Sequence, residues 1–534
     1  MTKILILSDD DRLLINLFKQ LESKSKNNLD VTHILSASNT NDDLKNYFKN
    51  STIISRDEYT RGKTNKNNFA LDLTEMNQFL KIEQIFNRML DFTDPDKNFH
   101  GHERRKAYYV LLSYMKLLLD EAKPDVIFFT VVPHSPHDCI LAMLAESKNI
   151  PIIIFRETNI PGLFFLSKNL LSPNKLLSNF VNNDENNNLQ IKDKINDYIA
   201  TIKLNNMNKT KKLYSNWRNH TIIFGNLSKL NFFIGHTIFK IIRFFIFLIN
   251  CLRPIVRSII YLVKNKIKNI SQLKNLFFMD DFFKSENLSY ENSKTNEFKF
   301  YYLLFQNDLK KFKLYYQYKK QVEAFDVSKK YIYFPLHYQP EATNYPYGDI
   351  FIDQANAIKM LSMHLPSEYV IYIKEHPDTF NISRKAWVRG AFNRSLDYYT
   401  DLKKIHNVKI IPMETDVTKV IDNSVAISTL TGSTGLEAVI RSKPALVFGY
   451  PWYEDCDYVY SCRSHEECKE AINKVINLKA FNSENVNNFF TKINQILIQS
   501  KKTALVGYQK YENSDNEFKV LAKYLTGEIE LLKK

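Results

Sequence analysis

The chain has 534 residues, of which 44% are hydrophobic and 25% are charged, so it is long enough for two to four globular domains. Its 38 Phe and 30 Tyr exclude a largely disordered chain, and its 12 Gly and 16 Pro are too few for a collagen-like or linker-dominated one. The net charge of +15 is local, because residues 160–330 carry 28 Lys and Arg against 12 Asp and Glu. Such a basic block is typical of proteins that bind nucleic acid, a membrane surface or an acidic substrate.

The cysteines and the N-terminus bear on metal content and compartment. The sequence has no CxxC pair and no Cys/His spacing typical of zinc, so it predicts no metal site and favours a reducing, cytoplasmic compartment. Two DxD patterns, at residues 94–96 and 455–457, are weak metal signals because neither follows a convincing strand. The apolar run at residues 3–8 is shorter than a signal peptide requires and predicts a first β-strand.

Residues 1–165 predict an N-terminal domain in which strands and helices alternate. Apolar runs of strand length are separated by stretches with helical spacing of apolar residues. The predicted strands are residues 3–8, 31–36, 125–132 and 151–155, and the predicted helices are residues 10–21, 104–122 and 138–148. This order predicts parallel βαβ units and therefore a Rossmann-like, doubly wound domain.

Residues 166–325 predict a basic and aromatic helical insertion. Between residues 240 and 268, Lys, Arg, Asn and Tyr recur at three- and four-residue steps, with one step of seven, opposite a face of Phe, Ile and Leu. One alternative is a buried helical pair with solvated charges. The other is an amphipathic helix on an anionic membrane surface, which the acid-free polar face favours. The longest uncharged apolar stretch, residues 244–252, is short for a spanning helix, and apolar residues at helical spacing disfavour nucleic-acid binding.

Residues 326–500 predict a second Rossmann-like domain, and residues 501–534 predict a C-terminal helical segment. The predicted strands are residues 331–336, 369–374, 408–411, 425–429 and 444–449, and the predicted helices are residues 353–365, 417–421, 434–441, 466–476, 485–500 and 515–533. Two such domains predict a cleft between the carboxyl ends of their sheets. Ligands of open α/β folds bind at these ends, so motifs directly after strands are the candidate site.

A His-Pro motif follows the predicted strand at residues 369–374. The imidazole of His376 can donate an N–H to a phosphate, and Lys374 adds positive charge. Pro377 restricts the backbone, so that the imidazole points in one direction. The alternative is a turn that contains an incidental histidine.

A loop rich in hydroxyl groups and glycine follows the predicted strand at residues 425–429. It contains Thr431, Ser433 and Thr434, and a helix is predicted to begin there. The free N–H groups and the dipole of a helix start form an anion site, although one hydroxyl could simply cap the helix. Glu437, on the first turn, is placed to accept hydrogen bonds from ribose hydroxyls. The sequence lacks the GxxxxGK[ST] pattern of nucleoside triphosphatases.

Two further strand ends carry polar residues. His337, Gln339 and Glu341 follow the predicted strand at residues 331–336 and alternate, so an extended chain places them on one side, where they could orient a sugar or act as acid or base. In the first domain, His134 and Asp138 follow the strand at residues 125–132. A His–Asp pair could serve as a base, whereas Asp138 alone could cap the following helix.

Three segments resemble the bacterial capsule polysaccharide biosynthesis family, which includes transferases of 3-deoxy-octulosonic acid (Kdo). They read HYQPEATNYPYGDIFIDQ (337–354), KEHP (374–377) and STLTGSTGLEAVIRSKPALVFG (428–449). Their order and spacing also resemble bacterial GT-B sialyltransferases, in which a His-Pro and a Ser/Thr motif contact a cytidylate donor. The resemblance implies a GT-B-like fold of two Rossmann-like domains that face a cleft, the first on the acceptor side and the second binding a nucleotide sugar.

The same resemblance implies roles for the motif residues. His376, Ser433 and Thr434 would bind the donor phosphate, and Glu437 the ribose. The expected enzyme is a glycosyltransferase, metal-independent and without a cofactor, that extends a surface polysaccharide. Its donor is a nucleotide sugar, with a CMP-linked sugar as one candidate, and its acceptor is a saccharide or a lipid-linked saccharide. Glu341 and Asp138 are the candidates for the base that activates the acceptor hydroxyl.

The expected location is the inner face of the cytoplasmic membrane, with peripheral binding to anionic lipid and no nucleic-acid partner. Two alternatives stay open. A polyol-phosphate transferase of the CDP-glycerol type would share the fold, although the Gln-Pro-Glu element at residues 339–341 argues against that family. A non-catalytic membrane-associated scaffold is the other, and the intact set of motif residues argues against it.

Overall fold

The computed structural model describes residues 1–8, 11–24, 29–36, 42–61, 73–93, 101–171, 185–204, 232–265, 297–339, 344, 346–380, 394–499 and 515–532. Two sheets organise these residues, and helices pack on both faces of each. The predicted α/β class, with two Rossmann-like, doubly wound domains, is confirmed.

The N-terminal sheet is built from β1 (Thr2–Leu7), β2 (Leu29–Leu35), β3 (Thr52–Ile54), β4 (Val126–Phe129), β5 (Ile152–Glu157) and β6 (Leu163–Ser167). Their order is β6-β5-β4-β1-β2-β3, with β6 antiparallel to β5 and the others parallel. The central strands β1, β4 and β5 are almost continuously apolar and buried. This pattern is typical of strands covered on both faces by helices.

Six helices cover this sheet: α1 (Asp11–Lys24), α2 (Asp42–Tyr47), α3 (Arg56–Arg61), α4 (Leu73–Thr93), α5 (Gly101–Ala122) and α6 (Pro136–Ser147). One buried apolar cluster joins α4, α5 and α6 to one face of the strands. A second cluster joins α1 to the other face. Helices α1, α5 and α6 were predicted from their apolar spacing.

The middle of the chain contributes three described helices, α7 (Glu185–Lys203), α8 (Phe232–Asn265) and α9 (Glu297–Gln321). They do not form a separate body. Apolar residues of α9 lie in the main core of the C-terminal domain, and α8 packs along α9. Two residues of α7, Ile191 and Ile195, lie in a cluster shared by the two domains. The helical character predicted for residues 166–325 is therefore present, but these helices complete the C-terminal domain.

The C-terminal sheet is built from β7 (Tyr331–Pro335), β8 (Val370–Lys374), β9 (Val408–Ile410), β10 (Ala426–Thr429), β11 (Ala445–Val447) and β12 (Val459–Ser461). All strands are parallel, in the order β12-β11-β10-β7-β8-β9. The remaining helices of this domain are α10 (Gln354–His364), α11 (Tyr398–Lys403), α12 (Val417–Asp422), α13 (Ser433–Ile440), α14 (His465–Ile476) and α15 (Ser483–Asn494). The strand order reverses between β7 and β10.

The chain then returns to the N-terminal domain. Strand β13 (Ile498–Gln499) pairs antiparallel with β6, and α16 (Asp515–Leu532) packs on α1. The helix predicted over residues 485–500 is thus shorter than expected. It ends because Ile498 is buried in the N-terminal sheet, opposite Phe164. The end of the range predicted for the C-terminal domain, residues 326–500, consequently belongs to the first sheet.

Candidate functional site

The site motifs lie where the strand order of each sheet reverses. In the C-terminal sheet this point falls between β7 and β10, and in the N-terminal sheet it falls between β1 and β4. Loops at the carboxyl ends of these strands diverge and leave a crevice, in which open α/β sheets bind ligands. The loop after β7 carries His337, the loop after β10 carries Thr431, and the loop after β4 carries His134. The sequence motifs therefore occupy the expected position in both domains.

His337 fixes the loop after β10. Its Nε2 accepts a hydrogen bond from the Leu430 N–H at 3.2 Å and lies 2.8 Å from the Thr429 hydroxyl. Its own backbone N–H donates to the Gln354 side chain. Burial, followed by the nearby charges of His376 and Arg394, lowers the imidazole pKa to about 3. The ring is therefore neutral and holds neighbouring strand ends together, which differs from the predicted acid–base role.

A buried polar network joins the loops after β7 and β8. The guanidinium of Arg394 donates to Glu375 at 3.2 Å, to the Gln339 side-chain oxygen at 2.6 Å and to the His337 carbonyl at 3.1 Å. The Tyr399 hydroxyl donates to the same Glu375 carboxylate at 2.6 Å. Arg394 and Glu375 are 3% and 1% exposed, so water does not compete for these bonds.

This network changes the interpretation of Gln339. The sequence predicts that Gln339 could orient a sugar, but its side-chain oxygen accepts from Arg394 and its Nε2 donates to the Ile352 carbonyl. Both ends of the amide thus serve the loop itself. Glu341, the other candidate in this motif, lies outside the described residues.

The His-Pro motif orients one imidazole toward the strand-end crevice. Nδ1 of His376 accepts a hydrogen bond from the Asp378 N–H at 3.2 Å, so in the neutral ring the proton is on Nε2. The ring packs on Tyr338, with 5.6 Å between the ring centroids, and 29% of the side chain is exposed. Pro377 begins the short 3-10 helix Pro377–Phe380 that supplies this N–H. His376 is thus a positioned, accessible N–H donor.

Lys374 lies deeper than the motif suggests. It is 6% exposed, and its Nζ donates to the Thr415 carbonyl at 2.8 Å. Burial lowers its pKa to about 8, against the opposing charges of Asp416 and Glu414. The ammonium ties β8 to the loop after β9, and its contact with a donor phosphate stays a prediction.

Helix α13 begins at the carboxyl end of β10 without a side-chain cap. Its N-cap is Gly432, whose own N–H donates to the Thr429 hydroxyl at 3.2 Å. The Ser433 hydroxyl, which could have served as a cap, donates instead to Glu437 at 3.1 Å. The first-turn N–H groups of Ser433 and Thr434 therefore have no side-chain acceptor at the cap, which is the arrangement of a helix-start anion site. Burial raises the Glu437 pKa, and the Ser433 hydrogen bond opposes that rise.

Two glycines allow the close packing around this helix start. A Cβ on Gly435 would lie 2.4 Å from the Tyr453 hydroxyl, which itself donates to the Gly432 carbonyl. A Cβ on Gly449, after β11, would lie 2.4 Å from the Tyr347 carbonyl and 2.6 Å from the Thr431 methyl group. Neither position has room for another side chain, so the sequence STLTGSTG is shaped by backbone approach as well as by ligand chemistry.

Arg156 brings the N-terminal domain to the same place, and no sequence motif indicated it. From β5 it donates to the Tyr450 carbonyl at 2.9 Å, and its guanidinium carbon lies 3.8 Å from the centre of the Tyr347 ring. The residue is 4% exposed, and its Nη1 has no hydrogen-bond partner among the described residues. Within the described chain Arg156 also forms no ion pair. Arg156 is thus a buried cation that binds Tyr450, the residue directly after Gly449.

The loops after β7 and β11 of the C-terminal domain contact the N-terminal domain at other points. The Trp452 indole donates to the Asn159 side chain at 2.7 Å, and Lys81 on α4 forms an ion pair with Asp349 at 2.9 Å. Ile352 is buried in the core of the N-terminal domain. The second half of the motif at residues 337–354 therefore positions the two domains.

The loop after β4 is held by Asp138. Its two carboxylate oxygens accept from the backbone N–H groups of His134, Ser135 and Cys139, at 3.1, 2.6 and 2.8 Å. It caps α6, and burial raises its pKa against those hydrogen bonds. The imidazole of His134 is exposed and lies 2.7 Å from the Val132 carbonyl through Nδ1. Nδ1 is therefore the donor, and Nε2 is left as an acceptor.

Two further features of the described chain bear on a metal ion and on a membrane. Within the described part of the chain, no three His, Cys, Asp or Glu residues are grouped so that they could hold a metal ion. One described helix, α8, contains a window, Phe233–Asn250, that is long and apolar enough to cross a membrane by length and composition, with 17% of it buried. That window includes Lys240 and Arg243, and Arg243 directly precedes the uncharged stretch at residues 244–252.

Residues 279–456 match the sequence model of the family described as capsule polysaccharide biosynthesis protein. The predicted family resemblance is confirmed. The matched residues contain all three motifs of the C-terminal domain. No curated protein matches the chain in sequence.

Several solved structures are similar at low identity. UDP-GlcNAc 2-epimerase from Methanocaldococcus jannaschii is 12% identical, with 92% of this chain and 98% of that chain covered and a TM-score of 0.24. The β-Kdo 2,7-transferase KpsC from Thermosulfurimonas dismutans is 15% identical over 42% of this chain and 62% of that chain, with a TM-score of 0.22. The spinosyn rhamnosyltransferase SpnG with thymidine diphosphate is 9% identical, covers 92% and 96%, and has a TM-score of 0.21. At these TM-scores the likenesses carry no argument about activity.

Proposed function

We propose that this protein is a glycosyltransferase that moves a sugar from a nucleotide-sugar donor to a growing surface polysaccharide. The observation that carries the proposal is the uncapped start of α13, which lies at the point where the strand order reverses. Its N–H groups and dipole favour a phosphate. The family match over residues 279–456 supports the same assignment.

In this mechanism the nucleotide phosphate is the leaving group. The N–H groups of Ser433 and Thr434 and the Nε2–H of His376 stabilise the negative charge that develops as the bond to the sugar breaks. These donors are fixed before the reaction by the hydrogen bonds around Gly432 and Asp378, so they need little reorganisation. Protein groups alone supply this stabilisation in the proposal, without a metal ion or a cofactor.

Glu437 would hold the ribose, because it lies one turn into α13 from the phosphate site. Its Ser433 hydrogen bond orients the carboxylate. Arg156 would add a positive charge from the N-terminal side, directed to an anionic group of the donor. A buried guanidinium whose Nη1 has no hydrogen-bond partner in the described chain is stabilised by such a group.

The acceptor hydroxyl would approach from the N-terminal domain. Both oxygens of Asp138 are occupied by backbone N–H groups, so the better-placed base of the pair is the neighbouring imidazole of His134. Its Nε2 is the acceptor nitrogen, and the exposed ring can reach a bound hydroxyl. Glu341 stays a second candidate. We expect the acceptor to be a saccharide or a lipid-linked saccharide at the inner face of the cytoplasmic membrane.

The test is a transfer assay with purified protein and cytidylate, uridylate and thymidylate sugars, run beside CDP-glycerol. Release of nucleotide that depends on a nucleotide sugar supports the proposal, and turnover of CDP-glycerol alone would replace it with a polyol-phosphate transferase. His376→Ala is expected to lower the turnover number by about 10²–10³, because one charge-stabilising donor is lost. His102→Ala, at an exposed position on α5, is the matched control and should transfer normally. Near-normal turnover by a folded His376→Ala protein would remove His376 from the donor site.

A further inference from the structure

Helix α8 presents an apolar surface to the outside of the molecule. Ten exposed large hydrophobic side chains lie between Phe233 and Leu252. We define the outer face of α8 by six of them, which follow one another at three- and four-residue steps: Ile234, Ile238, Ile241, Phe245, Leu248 and Leu252. Over these positions a helix extends about 30 Å, so the face is a continuous stripe. A stripe of this size is rare on a protein surface that meets only water.

Two polar side chains of α8, those of Arg243 and Asn250, face the protein. Arg243 forms an ion pair with Asp308 on α9, and the two side chains are 16% and 4% exposed. Asn250 is 6% exposed, and Phe239 stacks on Phe312 with ring centroids 4.9 Å apart. At these positions polar side chains are covered while apolar side chains of the same helix are exposed, the reverse of an ordinary surface helix. Arg243 is occupied within the protein, which differs from the expectation that it contacts lipid headgroups.

The attachment of α8 also fixes its direction relative to the domain. Its partner α9 is part of the C-terminal core, through residues such as Phe312 and Tyr318. Because α8 lies along this helix and is tied to it by the Arg243–Asp308 pair, it runs along the surface of the domain. A helix held in this way can enter a bilayer surface lengthwise, whereas crossing it would require separation from α9.

The charge of the surrounding sequence indicates which partner covers the outer face of α8. Residues 198–279 contain 14 Lys and Arg and no Asp or Glu. Lys240, which is exposed, lies beside the outer face. This charge complements anionic lipid. A second copy of the chain would bring two such basic segments together, and their repulsion disfavours a dimer through this face.

We propose that the outer face of α8 inserts into the boundary between headgroups and acyl chains of an anionic membrane, with the helix parallel to the membrane plane. The apolar side chains supply the insertion, and the acid-free sequence around them supplies the preference for anionic lipid. The inward Arg243–Asp308 pair holds the helix on the domain. This proposal does not depend on the identity of the donor or the acceptor.

The experiment is flotation of the full-length protein with vesicles of phosphatidylcholine, alone or mixed with phosphatidylglycerol. The test variant carries Ile241→Gln, Phe245→Gln and Leu252→Gln. The matched control carries Leu80→Gln, Leu189→Gln and Met363→Gln, three exposed apolar positions on other helices. We expect wild type to float with the mixed vesicles, the test variant to lose at least tenfold in partitioning, and the control to bind as wild type. High salt should reduce the binding only in part, because screening does not act on apolar insertion.

Four results would overturn the proposal. Equal flotation of the test variant and wild type would mean that the outer face does not contact lipid. A lipid-independent dimer, seen by analytical ultracentrifugation and abolished in the test variant, would assign the face to a second copy. Retention of the wild type on vesicles after carbonate extraction would indicate a spanning helix. A thermal unfolding scan accompanies each variant, and a large loss of stability in the test variant alone would show that the face is core.

Discussion

The loops after β7 and β8 of the C-terminal sheet are joined by side chains, whereas the loop after β4 of the N-terminal sheet is held by backbone amides. On the C-terminal side, Arg394 links Glu375 to the Gln339 side chain and the His337 carbonyl. On the N-terminal side, Asp138 collects backbone N–H groups from its own helix start. Side-chain links between separate strands fix the relative position of two loops, which a local cap cannot do.

The difference fits the proposed chemistry. Charge stabilisation requires donors that are already in place when the bond breaks. A donor side whose loops are held together by side-chain hydrogen bonds is therefore an advantage. An acceptor side has to admit a growing polymer, and there the exposed imidazole of His134 is held only through the Val132 carbonyl. The comparison therefore predicts that substitutions on the C-terminal side affect fold and rate together.

The largest effect is expected at the buried ion pair. Arg394→Met leaves the Glu375 carboxylate buried without its cation, which costs about 3–5 kcal/mol of unfolding free energy. Urea unfolding measures this loss. Lys404→Gln is the matched control, because its ion pair with Asp401 is exposed and contributes little. A change below about 1 kcal/mol in Arg394→Met would mean that the loops do not depend on the network.

A smaller effect is expected on the stability of both domains at acid pH. Each domain contains a buried histidine whose pKa burial lowers to about 3, His137 in the first domain and His337 in the second. Because the unfolded pKa is about 6.5, the unfolded chain binds more protons between these values. Stability is therefore complete above pH 6.5 and is lost as pH falls toward 3, by about 2 kcal/mol per histidine between pH 7 and 5.

The measurement is thermal unfolding of wild type, His137→Gln, His337→Gln and the exposed control His102→Gln at pH 7 and pH 5. Each buried-site variant is expected to be less stable at pH 7 but to lose less stability on acidification than wild type. The His337→Gln variant should also lose donor binding, since the ring fixes Leu430 and Thr429. Identical acid sensitivity in all four proteins would contradict the buried, neutral state of both rings.

Much of this fold could be predicted because its signals are local. The apolar runs at β1, β4, β7, β8 and β10 and the spacing of α1, α5 and α10 each fix an element within a few residues. Strand β13 could not be predicted, because only its pairing with β6 makes Ile498 extended instead of helical. The orientation of α8 was hidden for a related reason. Periodicity separates two faces, but the inward orientation of Arg243 depends on Asp308, 65 residues later in the chain.

The candidate site shows the same division. Strand-end position identified His376 and the start of α13, since carboxyl ends of parallel strands converge in any doubly wound sheet. The residues that hold these groups in place could not be identified from the sequence. Arg394 lies in no motif and reaches Glu375 from 19 residues away, and Arg156 meets Tyr450 across 294 residues. Such contacts are set by tertiary packing. A single sequence therefore indicates the residues that face a ligand more readily than the residues that position them.

The smallest expected effect concerns Glu437, which lies on the donor side but outside the hydrogen-bond network of Arg394 and Glu375. A carboxylate on the ribose stabilises bound donor and transition state alike, so Glu437→Ala should raise KM for the nucleotide sugar about tenfold with little change in kcat. Burial raises the pKa of Glu437, so protonation should weaken wild-type donor binding as pH falls through that raised value, and the variant should lack this dependence. Glu466→Ala, a first-turn carboxylate of α14, controls for the helix dipole. If KM is unchanged in Glu437→Ala while stability falls as in Glu466→Ala, the carboxylate serves only the start of its helix, and the ribose is held elsewhere.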